Sequence, residues 1–371
     1  MARELRGACH LQLAFSIGAG VDLDAAQRLV REQAQRPGLG QSPRVPRYFD
    51  FDPRPLEITD RDAPPFVLGV PGFGPAGPGR LKIFDFGSAS LELAIPLAHP
   101  AGDVVQLASA LYEDQALRDE ARRRVEAVVR LLASAIETPA VSEEVEQYLV
   151  FSFSRDGDGP VPAAWLREPD LRLAAARLLR CEAGGLAEEQ VADALAPHAQ
   201  YRPEDLALVD REAAILVGGG MDDERAVLEF ANVELLEMRL LDKKLDRSLE
   251  QAYLLVRRRG VFGRTAEGLR RVAELRIDGT MEFESVNNAL TLFGDQHLAR
   301  VYDLAKERYG LPQLDQGILR KLETLQDIYE MTAETRNMRA LLFLEVVVAV
   351  LIALEIRWGE LGRSLAALVG R

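Results

Sequence analysis

From Asp222 onward the apolar residues step by threes and fours. Leu228, Ala231, Leu235, Met238, Leu241, Leu245, Leu249, Ala252 and Val256 hold that spacing without a break. A 3.6-residue period sustained this long predicts one amphipathic helix. Such a helix must bury its stripe against another helix or another subunit. The pattern predicts a second helix over Phe283–Tyr309 and a third from Gln316, where Ile318, Leu322, Leu325, Tyr329 and Thr332 run 4-3-4-3. Residues 221–338 are therefore expected to be long amphipathic helices, with Leu235, Leu245, Leu322 and Leu325 as self-association positions in a homo-oligomer.

The N-terminal part obeys a different period. Leu11, Leu13, Phe15 and Ile17 alternate with His10, Gln12, Ala14 and Ser16, as in a half-buried strand. An export signal would be continuously apolar there. A helix is expected over Val21–Ala34. Residues 36–80 are rich in Pro and Gly and read as an irregular insertion, with one short strand at Phe66–Val70. Leu81–Phe86 and Ala89–Ile95 flank Gly87-Ser88, a two-residue hairpin connection. A helix from Arg118 to Glu137 and a strand at Tyr148–Phe153 follow.

Strand, helix, hairpin, helix, strand is the order of a ferredoxin-like βαββαβ sheet, so residues 1–155 are expected to form an α+β head. Residues 156–220 form a transition segment. It holds short helices at Asp170–Leu179 and Ala187–Ala196, and a hairpin of Leu206–Val209 and Ala213–Val217 that ends in Gly218–Gly220.

Composition narrows the function. The net charge of -13 argues against nucleic acid, whose binders carry a basic surplus to neutralise phosphates. The runs Arg122–Arg124 and Arg257–Arg259 read as solvated helix faces. Cys9 and Cys181 stand far apart without a CxxC pattern, and His10, His99, His198 and His297 are scattered singly. Neither a disulfide framework nor a metal site is expected, nor any cofactor.

Residues 339–371 read as a C-terminal anchor and tail. Ala340–Ile356 is apolar except for Glu345 and Glu355, and is flanked by Arg339 and Arg357, with Trp358 where an interfacial aromatic would sit. Seventeen residues of helix span about 25 Å, slightly under a bilayer core of about 30 Å. Leu344, Glu345, Val348, Leu351, Glu355 and Trp358 are the expected anchor residues, with the head left in the cytoplasm. A buried helix in an all-helical bundle is the alternative.

Ile83-Phe84-Asp85-Phe86-Gly87 resembles the Phe-x-Tyr-Gly strand and turn of the required-for-meiotic-nuclear-division family. Leu344-Glu345, the aliphatics after it and Glu355 resemble that family's closing Leu-Glu-apolar-Glu segment. The likeness is one of layout over most of the chain, although no aromatic residue follows Glu345 and the second strand has no Trp. The resemblance implies a C-terminally membrane-anchored, oligomeric, non-enzymatic protein without catalytic residues.

Three functions are consistent with these readings. One is a membrane-tethered scaffold whose head binds a protein partner. The second is a soluble enzyme using Asp85, Asp210 and Glu212, carboxylates at strand ends or in a tight turn. The third is an anion or nucleotide sensor built on Gly218–Gly220, which lacks both GxxxxGK[ST] and GxGxxG spacing.

Overall fold

The alternating N-terminal segment becomes β1, Glu4–Ser16, the axis of the sheet. The structure is a computed structural model that describes residues 4–30, 34–35, 50–51, 53–59, 64–77, 79–153, 162–257 and 296–331, a few positions between 270 and 291, and Glu345. β1 pairs antiparallel along its whole length with β7, Ser88–Pro100, and on its other side with β9, Glu146–Phe153. Outward from β7 lie β6, Arg80–Ile83, then β5, Leu56–Ile58, then β3, Ala34–Gln35. Outward from β9 lie β12, Ala213–Val217, then β11, Leu206–Val209, then β10, His198–Ala199. The nine-stranded order is β10-β11-β12-β9-β1-β7-β6-β5-β3. Every pairing is antiparallel except β12 with β9, so the sheet is mixed. Two small ladders stand apart: β2, Gly20–Val21, with β8, Ile136–Glu137, and β4, Asp50–Phe51, with β13, Leu290–Thr291.

Register sends each strand's side chains to opposite faces. The first face carries Leu11, Leu13 and Phe15 from β1, Leu91, Leu93 and Ile95 from β7, Leu149, Phe151 and Phe153 from β9, and Ile215 from β12. These residues join the hydrophobic core with the helices α1, Leu23–Leu29, α2, Ala101–Glu113, α3, Gln115–Leu131, α4, Pro162–Arg167, α5, Pro169–Leu179, and α6, Glu188–Leu195. Each fully buried Leu or Phe contributes about 1.5–3 kcal/mol. The α3 stripe of Leu117, Ala121, Val125 and Val129 delivers its share at helical spacing, and Asp114 caps its N-terminus by accepting from the Leu117 amide at 2.9 Å.

The second face is covered by α7, Asp222–Arg257, the long helix announced by the three-and-four spacing. Between Val227 and Met238 every residue of α7 is buried. The helix Gln296–Tyr309 supplies part of that cover through Leu298, Val301, Ala305 and Tyr309.

Two compact units divide the chain. Met1–Asp242 with Met281–Gln316 form the first, and Lys243–Thr280 with Gly317–Arg371 the second. In the second, Leu245, Ala252, Ile318, Leu322, Leu325 and Ile328 are buried, and Lys321 Nζ lies 2.6 Å from Asp246 Oδ1.

Several expectations need correction. The polar side of β1 is not open to water, because α7 lies over it. The segment expected to be one helix over Phe283–Tyr309 is interrupted by β13, and the helix begins at Gln296. The expected helix to Glu137 ends at Leu131 and gives way to β8. The expected helix from Val21 is the shorter α1, and Ala34 is already in a strand. Helix α2 was not anticipated. Phe66–Val70 forms no strand, only a single bridge from Phe66 to Ala76, while β5 arises within the same Pro- and Gly-rich stretch. The segment 156–220 supplies β10, β11 and β12 to the main sheet.

Candidate functional site

Strand register places His10, Gln12, Ser88, Ser90 and Glu92 on neighbouring positions of the second face, with Lys82 beyond them on β6. All six are buried. Charges so enclosed persist only when paired, because desolvation costs several kcal/mol per ion. Glu92, 4 % exposed, is the hub. Arg80 pairs with its Oε1, Gln12 Nε2 donates to Oε2 at 3.2 Å, and Arg225 Nε from α7 lies 3.6 Å from Oε2. His10 Nδ1 is 3.6 Å from Glu92 Oε1, and Arg225 Nη1 lies 2.9 Å from the same ring nitrogen. Burial alone would raise the Glu92 carboxyl. The His10 hydrogen bond and the Arg225 and Arg80 guanidiniums outweigh it and hold the group well below the usual carboxylate range.

Further along α7 the pairings continue. Glu229 meets Lys82, Glu237 accepts from Ser88, Asn232 Nδ2 donates to the Glu146 carbonyl at 3.2 Å, and Arg239 pairs with the Glu146 side chain. On the far side of the helix, Tyr302 Oη donates to Glu234 Oε2 at 2.6 Å. The result is an ionic layer between the sheet and α7.

The carboxylates singled out from sequence do not converge. Asp85 lies in the β6–β7 turn, where its carbonyl accepts from the Val21 amide at 2.7 Å. Asp210 and Glu212 share the β11–β12 turn, three strands away from β7 in the sheet and so roughly 14 Å off across it at about 4.8 Å per strand. Asp210 is wholly enclosed. Arg180 Nε is 2.8 Å from its Oδ2, Arg308 Nε donates to its Oδ1 at 2.8 Å, and both guanidiniums also reach Asp193. Tyr148 Oη donates to the Asp210 carbonyl at 3.0 Å. Burial, helped by Asp210, pushes the Glu212 carboxyl above its ordinary value.

Gly218 and Gly220 take φ of +152° and +76°, conformations that favour glycine, and carry the chain from β12 into α7. The first turn of that helix bears Asp222, Asp223 and Glu224, three negative charges where an anion would dock. Leu235, Leu245, Leu322 and Leu325 are buried within the single chain. Leu344, Val348, Leu351, Glu355 and Trp358 lie outside the described residues. Glu345 is helical and exposed. Among the described residues, no helix is long and apolar enough to cross a membrane, and no cluster of three or more His, Cys, Asp or Glu could hold a metal.

Sequence reasoning missed the Glu92 hub. Its one signal was the polar set His10, Gln12 and Ser16 on β1 facing Glu92 and Ser90 on β7, which reads equally well as a wet sheet face.

A mixed nine-stranded sheet, with helices and an apolar core on one face and the buried Val227–Met238 stretch of α7 over an ionic layer on the other, defines an α+β protein. The chain belongs to the family described as "Uncharacterized protein MJ0711, N-terminal domain", whose model matches residues 6–223, from β1 into the first turn of α7. It is similar to "Uncharacterized protein MJ0711" of Methanocaldococcus jannaschii, with 25% identity over 214 residues. That alignment covers 57% of this chain and 65% of the relative, just under two thirds of the relative's length. No solved structure matches.

Proposed function

We propose that this chain is a non-enzymatic, self-associating scaffold whose α+β head, on the cytoplasmic side, engages a protein partner while Ala340–Ile356 tethers it to a membrane. The observation that carries the reading is that run itself. Its aliphatic residues, at about -0.3 to -0.6 kcal/mol each, offset two carboxylates placed near its ends, where the penalty falls below the roughly 3 kcal/mol of a helix centre. The head supports it in another way. The enclosed charges of the second face are spent on partners within the fold, as a rigid platform requires. The block β9-β1-β7-β6, with α1 and α2–α3 between its strands, is read as the ferredoxin-like βαββαβ unit of that head. The likeness to the required-for-meiotic-nuclear-division family favours the same function.

The test is to stop the chain after Arg339 and compare membrane fractionation and crosslinked mass with the intact protein. Loss of membrane association and a smaller assembly are expected. An unchanged distribution together with an unchanged mass removes the proposal.

A second reading, nucleotide or anion sensing, is favoured by one feature of topology. β9 and β12 are adjacent and parallel, yet β9 leads to α4 and α5 on the first face and β12 leads through Gly218–Gly220 to α7 on the second. Ligands of open α/β sheets bind outside the carboxyl ends of strands at such a switch point. The first turn of α7 bears three carboxylates, Asp222 paired with Arg225 and Glu224 with His297, so the screen is thermal shift against nucleotides with and without Mg²⁺. No shift in either series rules this reading out.

A further inference from the structure

Glu234 has no solvent exposure and sits on the side of α7 that faces the helix Gln296–Tyr309. Two groups of that helix reach it. Tyr302 Oη donates to Oε2 at 2.6 Å, and Lys306 Nζ lies 3.4 Å from Oε1 while also standing 5.2 Å from the Tyr302 ring centroid. The chain then turns at Gly310, φ +74°, and brings in a second acid, Asp315. Asp315 is half-buried, and its Oδ1 is enclosed without a hydrogen-bond partner. It acts electrostatically on Glu234, on Tyr302 and on Lys306. Asp303, the other acid that acts on Tyr302, is exposed on the outer side of its helix.

One ammonium therefore faces two carboxyls, in contact with the enclosed Glu234 and acting at longer range on the half-buried Asp315, and with both ionised a surplus negative charge remains. A buried surplus charge is either neutralised by a proton or released by opening the structure around it. We propose that Glu234 and Asp315, both acting on Lys306, form a proton-dependent clasp that closes the helix Gln296–Tyr309 and the start of the helical segment after Gly310 onto α7. It is shut when one of the two carboxyls carries a proton and loosened when both are ionised. Burial, the largest influence on each, raises both carboxyls above their ordinary values, with Lys306 opposing. An acid whose folded value is raised contributes stability that is present below its unfolded value and lost as pH rises through the folded one. The clasp thus opens toward the alkaline side.

The experiment is amide hydrogen exchange over residues 296–309 of the full chain at pH 5 through 8, corrected for the intrinsic exchange rate at each pH. In the wild type the opening equilibrium is expected to rise with pH by at most about tenfold per unit, the limit for one linked proton. Asp315→Asn removes the surplus acid and should flatten that rise. Glu234→Gln keeps an acceptor for Tyr302 and should flatten it as well. Should Glu234→Gln fail to fold, the half-buried Asp315→Asn decides alone. Opening that does not depend on pH in the wild type overturns the proposal. So does a variant that lowers protection by the same factor at every pH, as a merely structural role would.

Discussion

Glu92 occupies the position from which the second face is organised, and its energetics follow from four partners, Arg80, Arg225, His10 and Gln12, of which the two arginines are permanent cations, and almost no water. Removing the carboxylate while keeping its size, as in Glu92→Gln, takes from Arg80, Arg225 and His10 the buried acid they share and leaves the guanidiniums only Glu57, 3.9 Å from Arg80, and Asp222, 2.8 Å from Arg225. Breaking a buried pair from one side costs about 3–5 kcal/mol, and the partial exposure of Arg80 places this case near 3. Urea denaturation measures it, and a loss under 1 kcal/mol would mean that the hub is energetically idle. The pH dependence has a definite sign. A depressed carboxylate contributes stability that is fully present above its unfolded value, about 4.3, and lost as pH falls through the folded one. Acidification below about pH 4 should therefore destabilise the wild type more than Glu92→Gln. At the same scale, Tyr302→Phe deletes the 2.6 Å hydrogen bond to an enclosed carboxyl and should cost about 1–3 kcal/mol, with no change in the secondary structure seen by circular dichroism.

Elements were legible to the extent that their period was uncontested. The short apolar runs Leu206–Val209 and Ala213–Val217, broken by Asp210-Arg211-Glu212, are β11 and β12 with the same bounds, because a short hairpin's register is local. The stripe of α7 was equally plain. β13 was not, since Leu290–Thr291 pairs with Asp50–Phe51 across most of the chain and nothing in either dipeptide announces a partner so remote. The ionic layer was hidden for a related reason. Alternation says which side chains share a face, but whether water or another helix meets that face is decided by α7, more than two hundred residues away. Lys82 and Glu229 test that account at the element scale. Each single change, Lys82→Met or Glu229→Leu, strands a buried charge and should cost about 3–5 kcal/mol, whereas the double change replaces the pair by apolar volume and should come out near neutral. A double mutant as unstable as the sum of the singles would show that the register of α7 is set elsewhere. Gly7 constrains β1 differently. A Cβ there would meet the Ser152 carbonyl oxygen at 2.0 Å, so Gly7→Ala must push β9 away.

At the scale of the molecule, the family match and the folding unit have different ends, and the difference has a physical consequence. The matched stretch closes at residue 223, when α7 has barely begun, yet the first compact unit continues through Asp242 and takes back Met281–Gln316. A fragment ending at 223 would keep the apolar core of the first face but would expose His10, Gln12, Lys82, Ser90 and Glu92. Beside them Tyr148, Val150 and Leu216 would also lose their cover. The charges could find water, but the apolar residues between them could not. The sheet would be left with one bare face, the condition that drives edge and face association. Residues 1–223 alone are accordingly expected to bind a hydrophobic dye and to unfold without a sharp transition, and residues 1–316 to melt cooperatively. Paired melts followed by circular dichroism and dye fluorescence make the comparison. If the shorter fragment melted as sharply as the longer one and bound no dye, α7 would be an attachment to a self-sufficient domain. The ionic layer would then be a consequence of docking, with no part in holding the sheet together.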